Sequence, residues 1–182
     1  MTSPDELLHV ATQLKTRLQA ANKRLVLAES CTGGLIAATL AGVPGISAVL
    51  AGSLVVYQVD SKRCWLQLDP NLLEIHDVVS QPVSQAMAEG AIRQTPHANL
   101  ALAVTGHLGP QAPTELDGTA WCAICLREGE QLQTQARQLT LDTSSAPEDP
   151  TKKRVARQHN AVRLGLNWLT EILPVNATTN DK

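Results

Sequence analysis

The run Asn99-Leu100-Ala101-Leu102-Ala103-Val104-Thr105 is apolar at every position between its two polar ends. A strand with one wet face alternates polar and apolar side chains. One without alternation is buried on both faces, the situation of a parallel strand covered by helices on each side. A shorter run of the same kind, Leu25 to Ala28, precedes it.

The flanking segments supply the cover. Leu7, Leu8, Val10, Ala11, Leu14 and Leu18 have helical spacing, which predicts a helix over 5–21 with Ser3 or Asp5 as its cap. A strand over 24–29 leads to a helix over 33–41, stopped by Gly42-Val43-Pro44-Gly45. The β-branched stretch 48–58 predicts a strand ending at Tyr57. Asp60 caps a helix from Ser61 to about Leu68, Asp69-Pro70 opens a short one through Ile75, and Ser80 caps another over 82–93. After the strand at 99–105 come a Gly/Pro-rich loop over 106–118 and a hairpin of strands 119–126 and 131–141. A polar loop over 143–150 and a helix over 151–173 complete the order. The expected fold is α/β: a single three-layer α/β/α domain with a mixed sheet, spanning 1–173. A polar tail over 174–182 is expected to be disordered.

Aromatic residues make up 2% of the 182 residues and Phe is absent, so the core falls to Leu, Val, Ile and Ala. The net charge of −2 offers no basic field for nucleic acid or a membrane surface. No apolar run reaches the ~20 residues of a membrane-spanning helix. The acidic first residues lack the order of a signal peptide, so a cytoplasmic location is expected. Cysteines 31, 64, 122 and 125 form no secreted disulfide framework. Cys122 and Cys125, three apart on a strand, point to opposite faces and read as small core residues. No metal or cofactor is expected.

The segment Leu27-Ala28-Glu29-Ser30-Cys31-Thr32-Gly33-Gly34 reads as strand, tight turn, helix. A helix N-terminus suits an anion, and a serine beside it is either a cap or a nucleophile. In open α/β sheets ligands sit at the carboxyl ends of strands, where Ser30, Tyr57 and Thr105 all fall. A lysine in a first helical turn, as Lys62 is, has its charged form disfavoured by the helix end and can serve a serine as base. The plainer alternatives are a solvated Lys62 and a Tyr57 with a wet tip. Glu29, on the other face from Ser30, reads as structural. His107 is a base or ligand contact, or simply solvated, and the neighbours His76 and Asp77 do not face each other. The basic cluster Lys152, Lys153, Arg154 and Arg157 either clamps a phosphate or forms an exposed face.

Ala28 to Ala37 resembles the signature of the CinA C-terminal-domain family, whose characterised enzymes are nicotinamide mononucleotide amidohydrolases of the PncC type. The similarity continues through Pro44-Gly45-Ile46-Ser47, Gly52, Val56-Tyr57, Lys62, Val79-Ser80, 87–90, 101–106, Gly109-Pro110 and Gly118-Thr119. It implies hydrolysis of a nucleotide carboxamide to the carboxylate and ammonia without a metal, in a homodimer or higher homo-oligomer. Ser30 would be the nucleophile, Lys62 the base, and Tyr57 a catalytic partner. Cys31, Thr32, Gly33, Gly34, Thr105, Gly106, His107 and Lys152 would bind the small-molecule nucleotide. The family's loop of the form G-I-A-G-P-x-G-G reads here Gly106-His107-Leu108-Gly109-Pro110-Gln111-Ala112-Pro113, and Gln58-Val59 follows Tyr57 where Ser-Asn is common. The family's Arg-x-x-x-Arg pattern falls on Lys152 and Ala156. The alternative is a weakened paralogue that binds nucleotide without turning it over.

Overall fold

The computed structural model describes residues 2–141 and 149–174. Helix α1 (Pro4–Ala20) leads to strand β1 (Leu25–Glu29), helix α2 (Leu35–Ala41), a 3-10 turn at Ile46–Ala48 and strand β2 (Leu50–Val55). Helices α3 (Val59–Leu66), α4 (Pro70–Ile75) and α5 (Gln81–Gln94) follow. Strands β3 (Leu100–Gly106), β4 (Thr119–Glu128) and β5 (Gln131–Thr140) and helix α6 (Pro150–Ile172) complete the order. The sheet runs β2-β1-β3-β4-β5. Its first three strands are parallel, and β4 and β5 are antiparallel additions. This is the mixed α/β sheet expected. The tail over 175–182 and most of the loop over 143–150 lie outside the described residues.

Side-chain alternation divides the core in two. Leu25 and Leu27 of β1, Leu100, Leu102 and Val104 of β3, and Cys122 and Ile124 of β4 pack with α1, α2 and α6. Val26 and Ala28, Ala101 and Ala103, and Ala123 and Cys125 face α3 and α5. Alanines dominate the second face, so α5 lies close to the sheet. Cys122 and Cys125 point to opposite faces and all four cysteines are free thiols. Among the described residues no helix is long and apolar enough to cross a membrane.

Three boundaries near Ser30, Tyr57 and Lys62 differ from expectation. β2 ends at Val55, so Tyr57 lies in the connection to α3 and not on a strand. β2 pairs only with β1, whose last paired residue is Glu29 opposite Val55, so the ladder stops there whatever the propensity of the following residues. α3 begins at Val59 after Gln58, and Asp60 lies within its first turn and not at its cap. α2 begins at Leu35, because Gly33 (φ +61°) and Gly34 (φ +96°) turn the chain in the left-handed region.

Candidate active site

β1, β2 and β3 end on the same edge of the sheet, and the site is built there. The β1 alternation carries one residue past the strand: Ser30 N–H donates to the Val104 carbonyl at 3.0 Å, continuing the ladder. Glu29 therefore takes the phase of Leu25 and Leu27, toward α2. Ser30 takes the phase of Ala28, toward α3.

Glu29 is fully buried and caps α2 from within. Its Oε2 accepts from the amides of Gly34 (3.1 Å) and Ile36 (3.0 Å) and from Thr32 Oγ1 (2.8 Å). Its Oε1 accepts from the Ala37 amide (2.9 Å) and Ser53 Oγ (3.1 Å). This corrects the reading of the α2 N-terminus as an anion site: its donors already serve an internal carboxylate. Thr32, expected at the substrate, is turned to Glu29, and Gly33 and Gly34 shape the turn.

Lys62 sits in the second turn region of α3 at 2% exposure. Its Nζ lies 2.8 Å from the Val56 carbonyl, 3.1 Å from Ser30 Oγ and 3.5 Å from the Tyr57 carbonyl. Burial lowers its pKa below the ordinary lysine value. Cys31 beside Ser30 is also buried, and burial pushes its thiol up to about 12, so it stays protonated at neutral pH.

A cavity of about 190 Å³ opens over this pair, lined among others by Ser30, Lys62, Thr105 and His107. Thr105 Oγ1 donates to the Val78 carbonyl at 3.0 Å. Gly106 lies where a Cβ would come within 2.7 Å of Ala120 Cβ and 3.0 Å of Cys31 Sγ, so the wall closes only on a glycine. His107 Nε2 lies 3.2 Å from Asp77 Oδ1, which also accepts from the Val79 amide at 2.6 Å. The pairing partner of Asp77 is thus a residue thirty positions away, and not its neighbour His76. A second compartment of about 390 Å³ adjoins the first, lined by Tyr57, Arg154 and residues 106–112.

Besides Thr32, two expected site residues are placed differently. The Tyr57 ring is half exposed and its hydroxyl accepts from Arg154 Nη2 at 2.6 Å. Only its backbone carbonyl reaches Lys62. Lys152 is exposed at the start of α6 and does not line the cavity. Two helical residues advance about 200° around the axis, so when Arg154 faces inward Lys152 faces away. Arg154 is the cation of the site, with its Nη1 on the Gly109 carbonyl at 2.6 Å. Gln158, one turn on, donates to the Cys31 carbonyl at 3.0 Å. The sequence shows the basic cluster but not the phase of the helix that carries it. Among the described residues no group of three or more His, Cys, Asp or Glu side chains is arranged to hold a metal ion.

The model of the CinA C-terminal domain matches residues 7–173. A CinA-like protein of Myxococcus xanthus (strain DK1622) is 43% identical over 122 residues, covering 66% of this chain and 28% of the relative. One of Mycobacterium avium (strain 104) is 50% identical over 95 residues, covering 52% and 22%. The chain thus matches only about a quarter of the length of these relatives. Among solved structures, a competence-damaged protein (CinA) superfamily protein of Escherichia coli superposes with TM-score 0.81 at 27% identity, covering 95% of this chain and 94% of that one. The competence/damage inducible protein CihA of Agrobacterium tumefaciens gives TM-score 0.78 at 30% identity, covering 90% and 93%. With the family model matched over nearly all the described residues and the same fold in these neighbours, the chain belongs to the CinA C-terminal-domain family.

Proposed function

We propose that this protein is a serine amidohydrolase that converts the carboxamide of nicotinamide mononucleotide, or of a close relative, to the carboxylate with release of ammonia. The observation that carries the reading is the buried Lys62 Nζ at 3.1 Å from Ser30 Oγ. A neutral amine fits its surroundings: two N–H groups serve the carbonyls of Val56 and Tyr57, and the lone pair is left to accept from the Ser30 hydroxyl.

In the proposed reaction Ser30 Oγ bonds to the amide carbon while its proton passes to Lys62 Nζ. The carbonyl opens to an oxyanion. In this reading the oxyanion falls to the backbone amide of Cys31, which follows Ser30 in a residue that lines the cavity. Collapse breaks the C–N bond, and Lys62 returns the proton to the departing ammonia. Water then attacks the acyl-serine, giving its proton to Lys62. The second collapse breaks the Ser30 ester and restores the hydroxyl. Arg154, at the mouth toward the outer compartment, supplies a cation for the phosphate.

Incubation with the mononucleotide and assay of ammonia tests the reading. Wild type is expected to release ammonia, and Ser30→Ala to lose activity by about 10⁶-fold, as cooperating catalytic groups do. Equal rates in the two proteins would end the proposal. A binding module without turnover is the competing reading, favoured by Ala112-Pro113 standing where the family pattern has its last two glycines. Saturable binding with no ammonia would select it.

A further inference from the structure

The segment 106–118 joins β3 to β4 and walls both compartments. It is held from one side by a single helix. Arg157 on α6, 4% exposed, meets Asp117 through two parallel bonds: Nη1 donates to Oδ1 at 2.6 Å and Nη2 to Oδ2 at 2.8 Å. The guanidinium occupies the space that side chains at two glycines would need. A Cβ on Gly109 would lie 2.9 Å from Nη1, and one on Gly118 2.9 Å from Nη2. Both glycines also have left-handed backbones, φ +70° and +81°. One turn earlier, Arg154 donates to the Gly109 carbonyl and the Tyr57 hydroxyl. One turn of α6 therefore grips the segment at two places, Gly109 and Asp117.

As a stabiliser this pair is poor. Arg157 Nε is buried with no hydrogen-bond partner among the described residues, which offsets part of what the ion pair contributes. What a bidentate guanidinium–carboxylate contact supplies is a fixed direction. We infer that Arg157 and Asp117 are positioning residues, a latch that fixes the 106–118 wall against α6 and so sets where Arg154 stands toward the substrate, without entering the chemistry of Ser30 and Lys62. The role for Arg154 rests on the amidohydrolase reading, so the test reads binding and chemistry separately.

Affinity for nicotinamide mononucleotide is measured by calorimetry in a Ser30→Ala background, with and without Asp117→Asn. Hydrolysis of p-nitrophenyl acetate, which has no anionic tail, is measured in the Ser30 protein as a report on the Ser–Lys pair. Asp117→Asn is expected to weaken nucleotide binding by about 10- to 100-fold, the scale of a misplaced binding group. The ester rate should stay within about twofold. Arg157→Lys, which keeps the charge but loses the second bond, is expected to repeat the pattern in smaller measure, and Asp117→Glu to recover part of the loss. Unchanged nucleotide affinity overturns the latch whether or not the parent protein turns the nucleotide over. Equal loss of both readouts in Asp117→Asn and Arg157→Lys overturns it too, since that marks general damage. Tight binding with no ammonia from the parent overturns the hydrolase reading alone, and a parent that does not bind the nucleotide overturns both.

Discussion

Glu29 Oε1 accepts from the Ala37 amide at 2.9 Å, so the carboxylate that precedes Ser30 is the internal cap of the helix that follows it. The turn that carries Ser30 is anchored by its neighbour in sequence, on the opposite face of the sheet. Glu29→Gln would turn an amide N–H₂ group toward donors that now meet a carboxylate oxygen. Leaving such buried donors unmet costs about 3 kcal/mol. Thermal melting should show a fall in Tm of about 6–12 °C for a chain of this size. A Tm within a degree or so of wild type would show that water satisfies those amides as well.

Lys62 couples chemistry to pH with a definite sign. Burial lowers its pKa from 10.5 in the folded protein, so between the folded value and 10.5 the unfolded chain binds more protons than the native one. Unfolding free energy therefore rises with pH through that window, and below it the buried charge costs stability. On the proposed mechanism catalysis runs in the same direction, because the neutral amine would be the base: kcat/KM should climb with pH to a midpoint below 10.5. Lys62→Met should abolish the rate and flatten the stability slope in that window. Urea melts and rate profiles from about pH 7 upward check both. A kinetic midpoint no lower than that of a free lysine would remove burial as the tuning device.

The central strands were legible because Leu25–Ala28 and Leu100–Val104 lack any polar alternation, and nothing but a two-sided core suits that pattern. The β2 boundary was not: a favourable β run extends to Gln58, but the pairing partner is spent at Glu29. The split between Glu29 and Ser30 follows from period-two alternation alone. What local sequence does not carry is pairing across distance. Asp77 with His107, Arg157 with Asp117, and the choice of Arg154 over Lys152 all depend on how α4, α5 and α6 are phased against the sheet edge. That phase is fixed by packing and not by the residues on either side.

The Tyr57 hydroxyl is bound to Arg154 and its ring is half exposed, which in the proposed reaction gives it the part of holding the cation and not of moving the Ser30 proton. Tyr57→Phe keeps the ring and removes that acceptor. A hydrogen bond to a charged group is worth about 1.5–3 kcal/mol, so KM for the nucleotide is expected to rise about tenfold or more with kcat little changed. Steady-state kinetics over a substrate series separates the two parameters. A collapse of kcat at constant KM would instead return Tyr57 to the proton path.

Gly90 lies in α5 where a Cβ would come 2.4 Å from the Leu66 carbonyl oxygen and 2.9 Å from Leu66 Cβ. Leu66 is the last residue of α3, the helix that carries Lys62 one turn earlier. Helix propensity alone would make Gly90→Ala stabilising by about 1 kcal/mol. Packing reverses the sign: the added methyl meets backbone that cannot swing aside, and overpacking of this kind costs about 1–3 kcal/mol. The strain is relieved by moving α3 off α5, which shifts Lys62 Nζ relative to Ser30 Oγ. Gly90→Ala is therefore expected to lower both Tm and kcat, with kcat falling by about 10-fold or more, since displacements of about 1 Å at a reacting pair are costly. Circular dichroism melts and ammonia assays on the same preparation decide it. A stabilised variant with full activity would mean that the α3–α5 contact yields without consequence, and that Lys62 is held by the carbonyls of Val56 and Tyr57 alone.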